Sequence, residues 1–178
     1  SFDEDKFQWV NEQWLQLAST EYLEACLKPF LRELELDLTL GPPLEQIVKV
    51  QRERVHDLKE MAKKSIFIYR EPEHYEPKAA RQYLKPDAQD ILRSIGSELA
   101  DLGKWTEEST QMAVEGVAKK LEVKMGKVAQ PLRVAVTGNA ASPGIGQTLM
   151  LVGREKTLQR VRRAVEYIGV RHLGAQSK

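Results

Sequence analysis

A single cysteine, Cys26, occurs among the 178 residues, so no internal disulfide can form. Its place among Leu23, Ala25, Leu27 and Phe30 reads as a small buried hydrophobe in a reducing compartment. Long apolar runs are missing as well. Stretches such as Val134 to Val136 and Leu149 to Val152 fall far short of the roughly 20 residues that cross a bilayer, and the chain is expected to be cytoplasmic. The three histidines, His56, His74 and His172, have no zinc-ligand spacing with one another or with Cys26, which argues against a metal site. No catalytic residue is expected either, because carboxylate pairs such as Glu107-Glu108 read as helix starts rather than acid–base machinery. The stretch from Gly138 to Gly146 is loosely glycine-rich but lacks the Lys-Ser/Thr ending of a phosphate loop. Ser1-Phe2-Asp3 has neither an initiator Met nor a basic and apolar leader, and reads as the interior of a longer chain.

Alternating strand patterns and hairpin turns are also lacking, whereas apolar residues recur at helical spacing almost throughout. Phe7, Val10, Trp14 and Leu17 form one such face, with Ser1 and Glu4 as a capping box. Thr20 is the expected cap of a second helix reaching Leu34, which Pro29 should kink or divide. Pro42-Pro43 marks a break before Leu44, Ile47, Val48, Leu58, Met61 and Ala62. Ile91, Leu92, Ile95, Leu99 and Leu102 make another face, and Thr106 with two acids starts a helix through Met112, Val117 and Leu121. Ser142-Pro143 reads as an N-cap with proline in the first turn. The last helix is expected over Glu155 to Ile168, stopped by Gly169, with a frayed tail beyond His172. The three tryptophans, Trp9, Trp14 and Trp105, read as core residues. The proline-rich, charged stretch from Arg70 to Pro77 divides the chain. The expectation is an all-α protein of two helical subdomains, residues 1–73 and 74–178.

Charge is distributed unevenly behind a net value of +1. Residues 1–115 hold 15 Lys and Arg against 23 Asp and Glu, whereas residues 116–178 hold 12 against 3. The basic part is where a polyanion would bind, unless its Arg-rich final helix is only a solvated face.

One long motif is more specific than any of these patterns. Lys124 to Gly138, Lys-Met-Gly-Lys-Val-Ala-Gln-Pro-Leu-Arg-Val-Ala-Val-Thr-Gly, continues through Ser142-Pro143-Gly144-Ile145, Leu151-Val152-Gly153-Arg154-Glu155 and Arg160-Val161-Arg162-Arg163-Ala164. With Arg54 to Met61, Trp105-Thr106-Glu107 and the opening helix, these segments resemble, in order, the C-terminal anticodon-binding region of bacterial-type glutamyl-tRNA synthetases. Lys124-Met125-Gly126-Lys127 superficially resembles the ATP loop of class I synthetases, but it has Gly where that loop has Ser and no nucleotide-binding strand pattern precedes it. It reads as a helix entry. The resemblance implies a helical cage of two subdomains that binds glutamate tRNA as a monomer and works with its own catalytic domain. ATP and Mg2+ would belong to that domain, and this segment would need no cofactor. It implies anticodon contacts at Arg54, Gln130, Arg133, Ser142, Pro143 and Ile145, with Arg54 telling a final anticodon C from G. Arg160, Arg162 and Arg163 are further candidates for phosphate contacts. Two other readings stay open: a stand-alone helical RNA-binding adaptor, and a basic protein-interaction module.

Overall fold

The computed structural model describes residues 2–176, whose regular elements are all helices, with no strand among them. The chain divides after Arg70 into two compact units; sequence reasoning had placed the boundary after residue 73.

The first unit contains α1 (Phe2–Leu17), α2 (Thr20–Glu33), a 3-10 turn (Leu38–Leu40), α3 (Leu44–Gln51), α4 (Leu58–Lys64) and α5 (Ile66–Tyr69). Helix α2 starts one residue earlier in its capping than expected, because the Ser19 hydroxyl, not Thr20, accepts from the Tyr22 N–H at 3.2 Å. Leu23, Leu27 and Leu31 follow at four-residue steps and are fully buried, each burial stabilising the fold by about 1.5–3 kcal/mol. That stripe keeps α2 continuous through Pro29. The proline is exposed, as is Ala25, whose carbonyl loses its helical partner there. Helices α3 and α4 pack on α2. Gly41 is required where the buried Tyr69 ring crosses it, since a Cβ would lie 2.2 Å from the ring.

Helix α1 is held to the rest of its unit in its second half, where Glu12 engages His56. Leu15 is buried, and Arg52 donates to the carbonyls of Leu15, Gln16 and Ala18, capping the helix C-terminus with a cation. Phe7, Trp9 and Leu17 are 70%, 60% and 83% exposed, and Trp14, 37% exposed, meets Tyr22 edge-on with ring centroids 5.9 Å apart. Trp9 and Trp14 are therefore not core residues in this chain. Cys26 is half-buried rather than buried. The proposed Ser1 cap lies outside the described residues.

The second unit contains α6 (Pro77–Tyr83), α7 (Pro86–Ala100), α8 (Glu107–Lys120), α9 (Met125–Thr137), α10 (Ile145–Val152) and α11 (Arg154–Gln176). Helix α9 runs through the middle, touching α6, α7, α8, α10 and α11. Its apolar run is accordingly buried on almost every side, from Val128 to Thr137 apart from Gln130 and Arg133. Thr106 and Ser109 form a reciprocal capping box at the start of α8. Met112 of that helix is 61% exposed, whereas Val117 is buried. Helix α11 does not stop at Gly169 but continues to Gln176. Gln89 of α7 donates to the Val165 carbonyl at 3.0 Å and lies beside Gly169, so a neighbouring helix outweighs the propensity cost of glycine, about 1 kcal/mol.

Candidate nucleic-acid interface

Gln130 and Arg133 stand one turn apart on α9, both half-buried. The helix ends as Gly138 takes φ +80°, a conformation that favours a residue without a side chain. A Cβ there would also lie 2.9 Å from Pro72. The Thr137 hydroxyl, donating to the Arg133 carbonyl at 2.8 Å, accepts in turn from the Asn139 N–H at 3.2 Å. Residues 139–141 then run exposed.

Arg133 reaches across this loop, its Nη1 donating to the Ser142 hydroxyl and to the Pro143 carbonyl. Thr148, fully buried in α10, contacts the same two groups, at 2.9 Å from Ser142 Oγ and 3.0 Å from the Pro143 oxygen. Sequence reasoning assigned Ser142 as an N-cap. In the structure α10 begins at Ile145 with Gly144 as its N-cap and no side-chain cap, because the Ser142 hydroxyl is taken by Arg133 and Thr148. Of the contacts that the resemblance implied, Pro143 and Ile145 do not reach the surface: Pro143 is buried and Ile145 is 3% exposed. The exposed features here are the backbone of 139–141 and Gly144, with Ser142, Gln130 and Gln147 partly accessible. The enclosed Oε1 of Gln130 has no hydrogen-bond partner among the described residues.

Helix α8 seats the start of α10. The Gly146 N–H donates to Gln111 Oε1 at 3.3 Å and its carbonyl accepts from the Thr110 hydroxyl at 3.2 Å. A Cβ on Gly146 would lie 2.6 Å from the Glu107 carbonyl oxygen, so the two helices meet at backbone distance. One end of the loop is thus fixed by α8 and the other by α9, with the positive ends of the α10 dipole and of Arg133 facing it. Thr148, Gln111 and Gly146 gave no signal in the sequence, since a lone hydroxyl, amide or glycine within a helical pattern has many ordinary explanations.

The three arginines expected at phosphates separate. Arg160 is 2% exposed and donates to the Val136 carbonyl at 2.8 Å near the C-terminus of α9, so it is structural and not a phosphate contact. Burial pushes its pKa down to about 10, which still leaves it charged at neutral pH. Arg163 donates to the carbonyls of Pro72 at 2.6 Å and Glu73 at 3.0 Å, pairs with Glu71 at 3.2 Å and lies over the Tyr75 ring. It pins the strap 71–76, from which the Glu76 N–H reaches the Gly138 carbonyl at 2.8 Å. Arg162 is exposed.

Arg54 belongs to the first unit and is exposed. It lies in a turn rather than a helix, its N–H donating to the Gln51 carbonyl at 2.9 Å. Three neighbours hold that turn: Arg52 turned inward, Val55 buried, and Asp57 capping α4 by accepting from Glu60 N–H at 2.8 Å. His56 is engaged by Glu12 and, through its N–H, by Glu60 at 2.7 Å. No group of three or more His, Cys, Asp or Glu among the described residues is placed to hold a metal ion, and no described helix is long and apolar enough to cross a membrane.

Residues 16–165 match the family described as "Anticodon binding domain". Glutamate–tRNA ligase 1 of Alkalilimnicola ehrlichii is 44% identical over 168 residues, covering 94% of this chain and 36% of its own length. Glutamate–tRNA ligase 2 of Halorhodospira halophila is 45% identical with the same coverage. The chain therefore spans about a third of the length of these curated relatives. A crystal structure of a glutamate tRNA ligase from Elizabethkingia meningosepticum in complex with its amino acid superposes with a TM-score of 0.82 at 24% identity, over 90% of this chain and 32% of that one. A glutamate-tRNA synthetase from Elizabethkingia anophelis gives 0.75 at 25% identity, over 89% and 31%.

Proposed function

Because the chain belongs to the anticodon-binding domain family and is homologous to the C-terminal part of glutamate–tRNA ligases, we propose that it binds glutamate tRNA and reads its anticodon. The observation that carries this reading is the convergence of Arg133, Ser142 and Pro143 on one braced loop inside the matched segment. Anticodon bases lie in a single-stranded loop, where their Watson–Crick edges can be splayed out and read by side chains and backbone groups. A loop held at both ends by helices suits that task, because little conformational freedom is lost when it binds. With Pro143 and Ile145 turned inward, the contact is made by the Ser142 hydroxyl, the exposed backbone around it and the Gln130 amide. Pro143 and Ile145 act beneath it, shaping the loop. Arg162 meets phosphate and supplies affinity without sequence information.

Glutamate activation with ATP and Mg2+ is assigned to the remaining length of the ligase, and the present segment works as a monomeric cytoplasmic module attached to it. Arg54, on its rigid turn, tells the final anticodon base C from G. Arginine offers only donors, in a fixed fork. Cytosine presents acceptors at O2 and N3, whereas guanine presents N1–H and N2–H donors there. Each buried donor left unpaired costs about 1–3 kcal/mol, which is roughly tenfold to a hundredfold in affinity. Arg54→Gln supplies a donor and an acceptor, so it should weaken rejection of G more than it weakens binding in general. Titrating wild type and variant with glutamate tRNA transcripts ending the anticodon in C or G measures this, and an unchanged C-to-G ratio would remove Arg54 from the reading.

A further inference from the structure

Beneath the loop, three donors compete for one carbonyl oxygen, and one of them, Thr148, lies outside the reading surface. The Pro143 carbonyl oxygen has two lone pairs and three neighbouring donors: Arg133 Nη1, Thr148 Oγ1 at 3.0 Å and Ser142 Oγ at 2.9 Å. Arg133 Nη1 carries two hydrogens and has three acceptors in reach; the Ser142 carbonyl is the farthest at 3.4 Å, and the two much nearer ones, this oxygen and Ser142 Oγ, take the hydrogens. One lone pair on the carbonyl then remains for either Thr148 or Ser142. If Thr148 fills it, the hydrogen of Ser142 turns to Thr148 Oγ1 or to an acceptor brought to the loop. If Ser142 fills it, Thr148 donates to Ser142 Oγ, whose two lone pairs are then both taken, and the hydroxyl faces a ligand with nothing to offer.

We propose that Thr148 is a positioning residue for base recognition: by donating to the Pro143 carbonyl, it sets the direction in which Ser142 gives its hydrogen. This rests on the reading above, that the loop meets the anticodon. Thr148 itself is fully buried in α10 and touches no RNA, so it acts through Ser142 alone. Removing its hydroxyl while keeping its shape draws the Ser142 hydrogen inward to the vacated lone pair and converts Ser142 to an acceptor.

The test is a double-mutant cycle on the whole chain, with wild type, T148V, S142A and S142A/T148V. Each protein is titrated with glutamate tRNA transcript and with three copies carrying one changed anticodon base each. T148V should lose about fivefold to tenfold of the selectivity at one anticodon position, as expected for one unmade hydrogen bond, and keep it at the other two. The double variant should lose no more than S142A, because the two residues act as one unit. T148S, which keeps the hydroxyl, should restore selectivity. Unchanged selectivity in T148V, or losses that add in the double variant, would overturn the proposal. If T148V does not fold, T148C, similar in volume with only a weak donor, replaces it with the same two outcomes. A wild-type chain that binds glutamate tRNA no better than the altered copies would instead overturn the functional reading itself.

Discussion

Arg160 and Arg162 lie two positions apart in α11 and point opposite ways, one into the Val136 carbonyl and one into solvent. Their replacement should therefore be felt in different experiments. With Arg162 proposed to meet phosphate, Arg162→Gln should remove that contact and its released counterion, and the slope of log affinity against log salt should flatten by about 0.7–0.9. Anticodon preference should not move, because phosphates carry no sequence information. Arg160→Met leaves the Val136 carbonyl without its donor and should cost about 1–3 kcal/mol of stability in urea unfolding. An unaltered salt slope for Arg162→Gln would make that residue part of a solvated face, and a stability-neutral Arg160→Met would deny the buried arginine its structural role. The arginine-rich segment was visible in the sequence, but which of its members face inward was not. Four-residue spacing does not reveal where a carbonyl such as Val136 ends up.

Helix α10 depends on how closely α8 approaches it. In isolation Gly146→Ala would favour the helix by about 1 kcal/mol, but the added Cβ meets the Glu107 carbonyl oxygen at 2.6 Å, which no side-chain rotation can relieve. Steric cost should win. The variant is expected to lose roughly 1–3 kcal/mol of stability, as overpacked sites do, and to lose anticodon selectivity with it as Pro143 to Ile145 shift. Gly146→Ala melting at or above the wild-type temperature would show that the contact yields. Most helices were legible from local pattern: the Leu23, Leu27 and Leu31 stripe, the Thr106 start of α8 and the Lys124 entry to α9 depend on neighbours in sequence. The misjudged ends depended on distant partners. Gly169 stays helical beside Gln89, and Ser142 gives up the capping role to bond Arg133 and Thr148. The residues of the candidate site were named through resemblance to a family motif, while the inward facing of Pro143, Ile145 and Arg160 needed the packed structure to be seen.

The whole chain combines an acidic front with a basic back, −8 over residues 1–115 and +9 over residues 116–178. It accounts for 36% of the length of relatives named as glutamate–tRNA ligases. Several arginines of the basic part are committed to internal carbonyls, Arg154 to Ala100 and Leu102, Arg160 to Val136, Arg163 to Pro72 and Glu73. Positive charge thus braces the loops, beside the attraction for RNA proposed for it. If the loop reads bases rather than overall RNA shape, then the anticodon, and not the rest of the tRNA, decides selectivity. The most direct measurement grafts the glutamate anticodon onto a tRNA for an unrelated amino acid and titrates the chain with the graft, its parent and glutamate tRNA, all at one moderate salt concentration. Binding of the graft should rise from the parent's level by about tenfold or more, the equivalent of at least one buried hydrogen-bond set gained. A graft that binds no better than its parent, while glutamate tRNA still binds tightly, would contradict anticodon reading and assign the selectivity to another part of the tRNA.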